Sequence, residues 1–244
     1  MKLPGSVALI TGASRGLGQA IATQFAARGA RLVVTARGAA ALEAAVAPWR
    51  QQTEVVAIPG DVAEAAHAAR LVREAEARFG GVDILINNAS ELGPSPMPAL
   101  EDYPLPALET VLRVNVGAPL ALSQLVLPGM KSRARGVVVN VTSDAGVVPY
   151  AGWGGYGASK AALEHLSRIL AAELEGSGVR VYVVDPGDMN TLMHQLAEPG
   201  VDLSELPGPD VPAPAFVRLV EDESIAPGRY TAQELREGLV DASR

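Results

Sequence analysis

Cysteine is absent from the 244 residues, which excludes disulfides and cysteine-ligated metal sites. The three histidines, His67, His165 and His194, stand far apart with no ligand spacing, so no structural zinc site is expected. Aromatic residues make up only 4% of the chain against 48% hydrophobic residues, mostly Ala, Val and Leu. Such a composition suits closely packed helices lying on a Val-rich sheet. Basic runs are also missing: Lys and Arg are scattered and the net charge is −7, which argues against a nucleic-acid partner. No apolar run reaches ~18 residues without polar or charged interruption, so no membrane span is expected. Met1–Gly5 leads straight into a strand-like segment, implying no signal peptide and a cytoplasmic location. A small-molecule partner is the expectation that survives these exclusions.

What the chain does contain is an alternation of short β-branched runs with long Ala-rich stretches. Strands are predicted over Ser6–Thr11, Arg31–Thr35, Glu54–Ile58, Val82–Asn87, Gly136–Thr142 and Val179–Val184, with a marginal seventh near Arg229–Thr231. Helices are predicted over Gly16–Arg28, Gly38–Ala47, Ala63–Phe79, Leu108–Met130 and Gly154–Glu175. This βαβ order implies an α/β fold, a doubly wound parallel sheet of six to seven strands with helices on both faces. No linker or composition break divides the series, so residues 1–244 read as one domain. Eleven of the eighteen prolines fall in Pro94–Pro106 and Pro199–Pro227, which are expected to be loops or broken helices. Both stretches follow strand carboxyl ends, where ligands bind in open α/β sheets, and the segment about 188–227 is expected to cover a substrate.

Thr11-Gly12-Ala13-Ser14-Arg15-Gly16-Leu17-Gly18 closes the first strand and opens the first helix. In that setting Gly12 permits the tight turn, Gly16 lets backbone approach a pyrophosphate, and Gly18 allows close helix–strand packing. The helix amides then favour phosphate charge. Further on, Tyr156 and Lys160 stand four apart in Tyr-Gly-Ala-Ser-Lys and so share one helix face. An ammonium beneath a phenol favours its anionic form, which would bring proton exchange towards neutral pH.

The GxxxGxG spacing together with YxxxK resembles the short-chain dehydrogenase/reductase family, and the resemblance runs from about Ser6 to Thr191. Asp61-Val62 at the third strand's end matches the family's adenine contact. Asn87-Asn88-Ala89 at the fourth matches its NNAG segment beside the cofactor ribose. Asn115 in Val114-Asn115-Val116, Ser143 in Val141-Thr142-Ser143, and Pro186-Gly187 followed by Thr191 match the helix Asn, the catalytic Ser and the PGxxxT segment. The resemblance implies a Rossmann-type fold and a nicotinamide-dependent interconversion of carbonyl and secondary alcohol. Tyr156 would be the acid or base, Lys160 its electrostatic support and ribose ligand. Ser143 would hold the substrate oxygen, and Asn115 would support Lys160 through a water. Cofactor contacts would come from Gly12, Ser14, Arg15, Gly16, Leu17 and Gly18, from Arg37, Asp61, Val62, Asn88 and Ala89, from Tyr156 and Lys160, and from Pro186, Gly187 and Thr191. The second strand ends Thr35-Ala36-Arg37, without the acid that would bind a ribose 2′-hydroxyl. Arg37, with Arg15, could instead clamp a 2′-phosphate, so NADP(H) is expected over NAD(H).

Departures from the family pattern are local. Ser90 replaces the last glycine of NNAG, and Asp144 follows Ser143 where a small hydroxyl residue is common. An acid there would repel anionic substrates or cap a turn. Near the C-terminus, Thr231–Val240 reads as a short amphipathic helix in place of the family's Val-Asp-Gly-Gly tail. Asp144, Trp153, Met189 and Met193 are the candidate substrate contacts. Their character favours a neutral carbonyl or alcohol. Extensive Ala/Leu surfaces on the two longest helices imply a homodimer or homotetramer. Two other readings stay open: an NADP-binding regulator or scaffold without turnover, and a sugar-nucleotide epimerase or dehydratase. The latter usually has GxxGxxG and a larger C-terminal domain, which this chain lacks.

Overall fold

A computed structural model describes residues 1–238. Strands β1 (Val7–Thr11), β2 (Arg31–Thr35), β3 (Val55–Ala57), β4 (Ile84–Asn87), β5 (Gly136–Val141), β6 (Val179–Asp185) and β7 (Gly228–Thr231) form one parallel sheet, ordered β3-β2-β1-β4-β5-β6-β7. The helices are α1 (Gly16–Ala26), α2 (Ala39–Val46), α3 (Ala65–Phe79), α4 (Leu105–Leu112), α5 (Ala118–Ser132), α6 (Gly154–Glu173), α7 (Leu192–Ala197), α8 (Ala213–Glu221) and α9 (Ala232–Glu237). Chain order reverses at β1, which lies between β2 and β4, and this leaves a crevice beyond the carboxyl ends of β1 and β4.

Period-two alternation explains the two helical layers. Ala8, Ile10, Leu32, Val34, Ile84 and Ile86 point to the face covered by α1, α2, α8 and α9. Their neighbours Val7, Leu9, Val33, Leu85 and Val138 point to the face covered by α3 and α5. A parallel sheet dressed on both sides therefore reads as continuous apolar runs.

Three predicted elements differ. The helix expected over Leu108–Met130 is α4 and α5 joined by a π-helical turn, Arg113–Gly117. Asn115 occupies that wide turn and is 1% exposed, with its amide hydrogen-bonded outside the helix. The polar side chain thus accounts for the local change of pitch. The whole stretch Leu105–Ser132 is also long and apolar enough to cross a bilayer by length and composition alone; it carries Glu109, Arg113 and Asn115, and half of its most apolar window is buried inside the fold.

The Pro199–Pro227 stretch, expected to be loop or broken helix, contains α8. Pro212 is its N-cap residue and Pro214 lies in its first turn, where a missing N–H costs no helical hydrogen bond. Ala213, Phe216, Val217 and Val220 then recur at helical spacing and pack into the layer beside α1. α9 is shorter than the predicted Thr231–Val240: a Thr231/Glu234 capping box starts it and Gly238, at φ +76°, ends it. Leu239 and Val240 lie outside the described residues.

Because Phe216 is fully buried between α8 and the sheet, Phe216→Ala should destabilise the protein by about 3–5 kcal/mol. Urea denaturation should show a lower midpoint with an unchanged slope.

Candidate active site

The glycine turn is held by contacts that leave no room for side chains. Gly12 has φ +68° and Gly16 has φ +55°, the left-handed region where a Cβ is disfavoured. A Cβ on Gly12 would meet the Asn88 amide at 2.8 Å and the Ala89 Cα at 3.0 Å. One on Gly18 would overlap both the Asn88 amide and the Gly12 carbonyl. The Thr11 hydroxyl accepts from the backbone N–H of Asn88 at 3.0 Å and of Ala89 at 2.9 Å, and donates to the Ile86 carbonyl at 3.3 Å. Asn88 returns the contact, its amide donating to the Thr11 carbonyl at 2.9 Å. Sequence neighbours of β1 and β4 are therefore stitched together at the crevice.

A groove of about 560 Å³ runs along these strand ends. Gly12, Ser14, Arg15, Gly16 and Leu17 line it from the first turn, and Arg37, Asp61, Val62, Asn88 and Ala89 from the next strand ends. Tyr156, Lys160, Pro186 and Thr191 line its other half. Gly18 lies behind the groove as a packing contact. The groove suits a phosphate-bearing dinucleotide. Gly16 faces open space, with only the Thr191 methyl, at 3.9 Å, near its missing Cβ. The first turn of α1 has no side-chain cap and no acid, so its amides are free to meet an anion. Arg15, Arg37 and Lys160 are the basic residues of the lining.

Glu91, which sequence reasoning missed, also lines the groove and pairs with Arg37 at 3.2 Å. No local spacing links two residues 54 positions apart. Only its place directly after Asn87-Asn88-Ala89-Ser90 could have flagged it.

At the far end of the groove lie Tyr156 and Lys160, both on α6 and both buried at 9% and 2% exposure. Lys160 donates to the Val141 carbonyl at 2.9 Å, and its ammonium lies 5.3 Å from the centre of the Tyr156 ring. Burial pushes Lys160 down to about 8, while Asp185 and Glu164 act to raise it. Burial also raises the Tyr156 phenol well above its usual value; hydrogen bonding to Ser90 and Ser143 opposes this, and Asp185 and Asp144 reinforce it. This corrects the expected depression of the phenol. In this structure desolvation is the largest influence on the phenol.

Ser143 caps the 3₁₀ turn Asp144–Gly146: its hydroxyl accepts from the Ala145 N–H at 3.2 Å and donates to Asp144 at 3.0 Å. Asp144 also accepts from the Tyr150 hydroxyl at 2.7 Å. Asn115 does not bond Lys160 directly. Its Oδ1 accepts from the Glu91 N–H at 2.7 Å, while its Nδ2 donates to the Glu91 carbonyl at 2.9 Å and to the Ser159 hydroxyl at 2.8 Å. The side chain clamps the loop after β4 onto α6.

A second cavity of about 490 Å³ adjoins the groove, and Tyr156 lines both. Ser143, Asp144, Trp153, Gly187, Met189 and Met193 all line this cavity. Trp153 stacks edge-on against Tyr156, with ring centres 5.9 Å apart. His194 lies in the wall with its ring nitrogens against the Met189 carbonyl and Glu198, each at 3.2 Å. The lining includes Asp144, Asp188, Glu198, Asp202 and Glu205 but no Lys or Arg.

Known proteins agree with this architecture. Residues 6–201 match the short chain dehydrogenase family. The 2-(R)-hydroxypropyl-CoM dehydrogenase of Xanthobacter autotrophicus is 36% identical over 191 residues, 78% of this chain and 76% of that protein. A short chain dehydrogenase structure from Pseudomonas syringae superposes with a TM-score of 0.89 at 33% identity, covering 95% and 96% of the two chains. A metagenomic short-chain oxidoreductase in complex with NADP superposes with a TM-score of 0.80 at 30% identity, covering 95% and 99%. The chain belongs to the short chain dehydrogenase family. It is an oxidoreductase of that family, whose named relatives act on CH–OH groups.

Thr11→Val keeps the side-chain shape but removes the acceptor for two amides. Leaving such groups unpaired should cost roughly 2 kcal/mol or more, read as a lower urea midpoint.

Proposed function

We propose that the protein interconverts a neutral carbonyl and a secondary alcohol with NADP(H) preferred, Tyr156 serving as the acid or base. The single observation that carries this reading is the position of Tyr156, which borders both the dinucleotide-sized groove and the neighbouring cavity. A bound nicotinamide supplies the hydride that joins the carbonyl carbon. Tyr156 supplies the proton that joins the oxygen, and Ser143, across the same cavity, supports that oxygen by hydrogen bonding. The raised phenol stays protonated at neutral pH, the form that carbonyl reduction requires. Lys160 places a positive charge beneath the ring and faces the groove, where a ribose would lie. Asn115 acts at one remove, by fixing the loop after β4 against α6.

Cofactor preference rests on the end of β2. Arg37 is there, no acid is, and Arg15 lines the same end of the groove. The two ends of the site differ in charge: Arg15 and Arg37 stand with Asp61 and Glu91 at one end, whereas the substrate end has five carboxylates and no Lys or Arg. That asymmetry supports an uncharged substrate and disfavours an anionic one. Exposed Leu112, Leu125 and Ile169, on α4, α5 and α6, support the reading of a dimer or tetramer.

An absorbance screen of NADPH and NADP against carbonyls and alcohols tests the whole reading. Tyr156→Phe should lower turnover by at least ~10²-fold while cofactor binding, followed by NADPH fluorescence, is kept. NADPH binding without oxidation across the panel would refute catalysis. Arg37→Asp should weaken use of NADPH and improve use of NADH; an unchanged ratio would refute the cofactor assignment. Keto acids should fall about tenfold or more below neutral ketones of equal size in kcat/KM, a difference of about 1.4 kcal/mol. With a protonated phenol as the acid, reduction should hold through neutral pH and fall at alkaline pH, whereas oxidation should rise as pH rises.

A further inference from the structure

Arg229 stands where the strand after the Pro-rich segment rejoins the sheet, and the chemistry above gives it no role. Its Nε donates to Glu164 at 3.0 Å and its Nη2 to Asp185 at 3.1 Å. Both carboxylates are nearly enclosed, with side chains 5% and 8% exposed, and the arginine itself is 24% exposed. Glu164 lies one helical turn beyond Lys160 on α6 and also accepts from the Thr142 hydroxyl at 2.8 Å, next to Ser143. Asp185 ends β6 and accepts from the Gly187 N–H at 3.0 Å, thereby shaping the Pro186-Gly187 turn. One guanidinium thus joins β7 to the acid–base helix, through Glu164 to Thr142 beside Ser143 after β5, and to the turn at the groove's end.

We propose that Arg229 is a positioning residue: it holds the Tyr156–Lys160 helix against the Pro186-Gly187 turn and balances the two buried carboxylates that neighbour Lys160. This rests on the acid–base reading of Tyr156 and Lys160. The groups that bear on Lys160 are Tyr156 and Glu164 on its own helix and Asp185 from β6. Asp144, on the turn after β5, bears on the phenol. Arg168 reaches Glu164 only from outside, at 3.4 Å with 60% of its side chain exposed. Asn115, in the π-helical turn, and Ser159, on α6, are uncharged. Lys160, Arg229, Glu164 and Asp185 therefore form a balanced set of two cations and two anions. Without Arg229, Lys160 would face both anions as the remaining buried cation. Buried carboxylates left so exposed to one cation hold its proton more tightly.

The chain has only three lysines, Lys2, Lys131 and Lys160, and of these only Lys160 is buried. Its ammonium can therefore be titrated by ¹⁵N NMR on the intact protein, without substrate. Arg229→Gln should raise the Lys160 midpoint above about 8, by roughly half a pH unit or more. Arg229→Lys should restore most of the original value. Asp185→Asn, which keeps an acceptor for Gly187, should move the midpoint in the opposite direction. A role in folding alone would lower stability without producing these opposed displacements. Midpoints of Arg229→Gln and Asp185→Asn that both coincide with the parent's would overturn the proposal. Should Arg229→Gln not fold, Asp185→Asn decides by the same criterion. Normal turnover in Tyr156→Phe would instead overturn the acid–base reading, and the titration does not depend on it.

Discussion

The rest of the site depends on how closely the first βα turn approaches the end of β4. Thr11 and Asn88 exchange hydrogen bonds across the sheet where chain order reverses, and Gly12 and Gly18 have no side chain to hold the segments apart. That contact sets the width of the crevice and points the α1 amides along it. It also fixes where the loop after β4 begins, and so where Glu91 meets Arg37 and Asn115. Side chains of ordinary size at those glycines would push the two strand ends apart, and a wide surface cleft would replace a shaped groove.

Charge is distributed along this groove with a clear physical logic. The end of the groove beside β2 carries the exposed guanidinium groups of Arg15 and Arg37, the latter paired with Glu91. The end holding Tyr156 and Lys160 buries its ionisable groups, so burial raises the phenol and pushes the ammonium down to about 8. Lysine kept in such surroundings needs anions nearby, and Glu164 and Asp185 occupy that position. Those anions in turn need Arg229. The neighbouring cavity wall then continues with carboxylates and no Lys or Arg.

Much of the architecture was legible in the chain because it is encoded locally. β2 was expected at Arg31–Thr35 and lies there; the order of strands and helices follows from apolar runs alternating with Ala-rich stretches. Other elements resisted for identifiable reasons. The Pro212–Pro214 region reads as loop or broken helix by proline content, yet both prolines sit where a helix start tolerates them, and Phe216 is drawn into the core. The helix through Asn115 reads as continuous because no local pattern reveals that its amide will bond a distant loop.

By itself the sequence determined the parallel α/β fold, the glycine turn and the alignment of Tyr156 with Lys160, since each depends on periodicity or on spacing within a few residues. Tertiary structure alone decided the direction in which the phenol shifts, because that turns on burial and not on the neighbour four residues away. It alone paired Arg37 with Glu91 and Arg229 with Glu164 and Asp185, contacts 44 to 65 residues apart in the chain. Charge pairs at such range leave no local pattern; they exist because parallel strands bring their carboxyl ends to the same edge of the sheet.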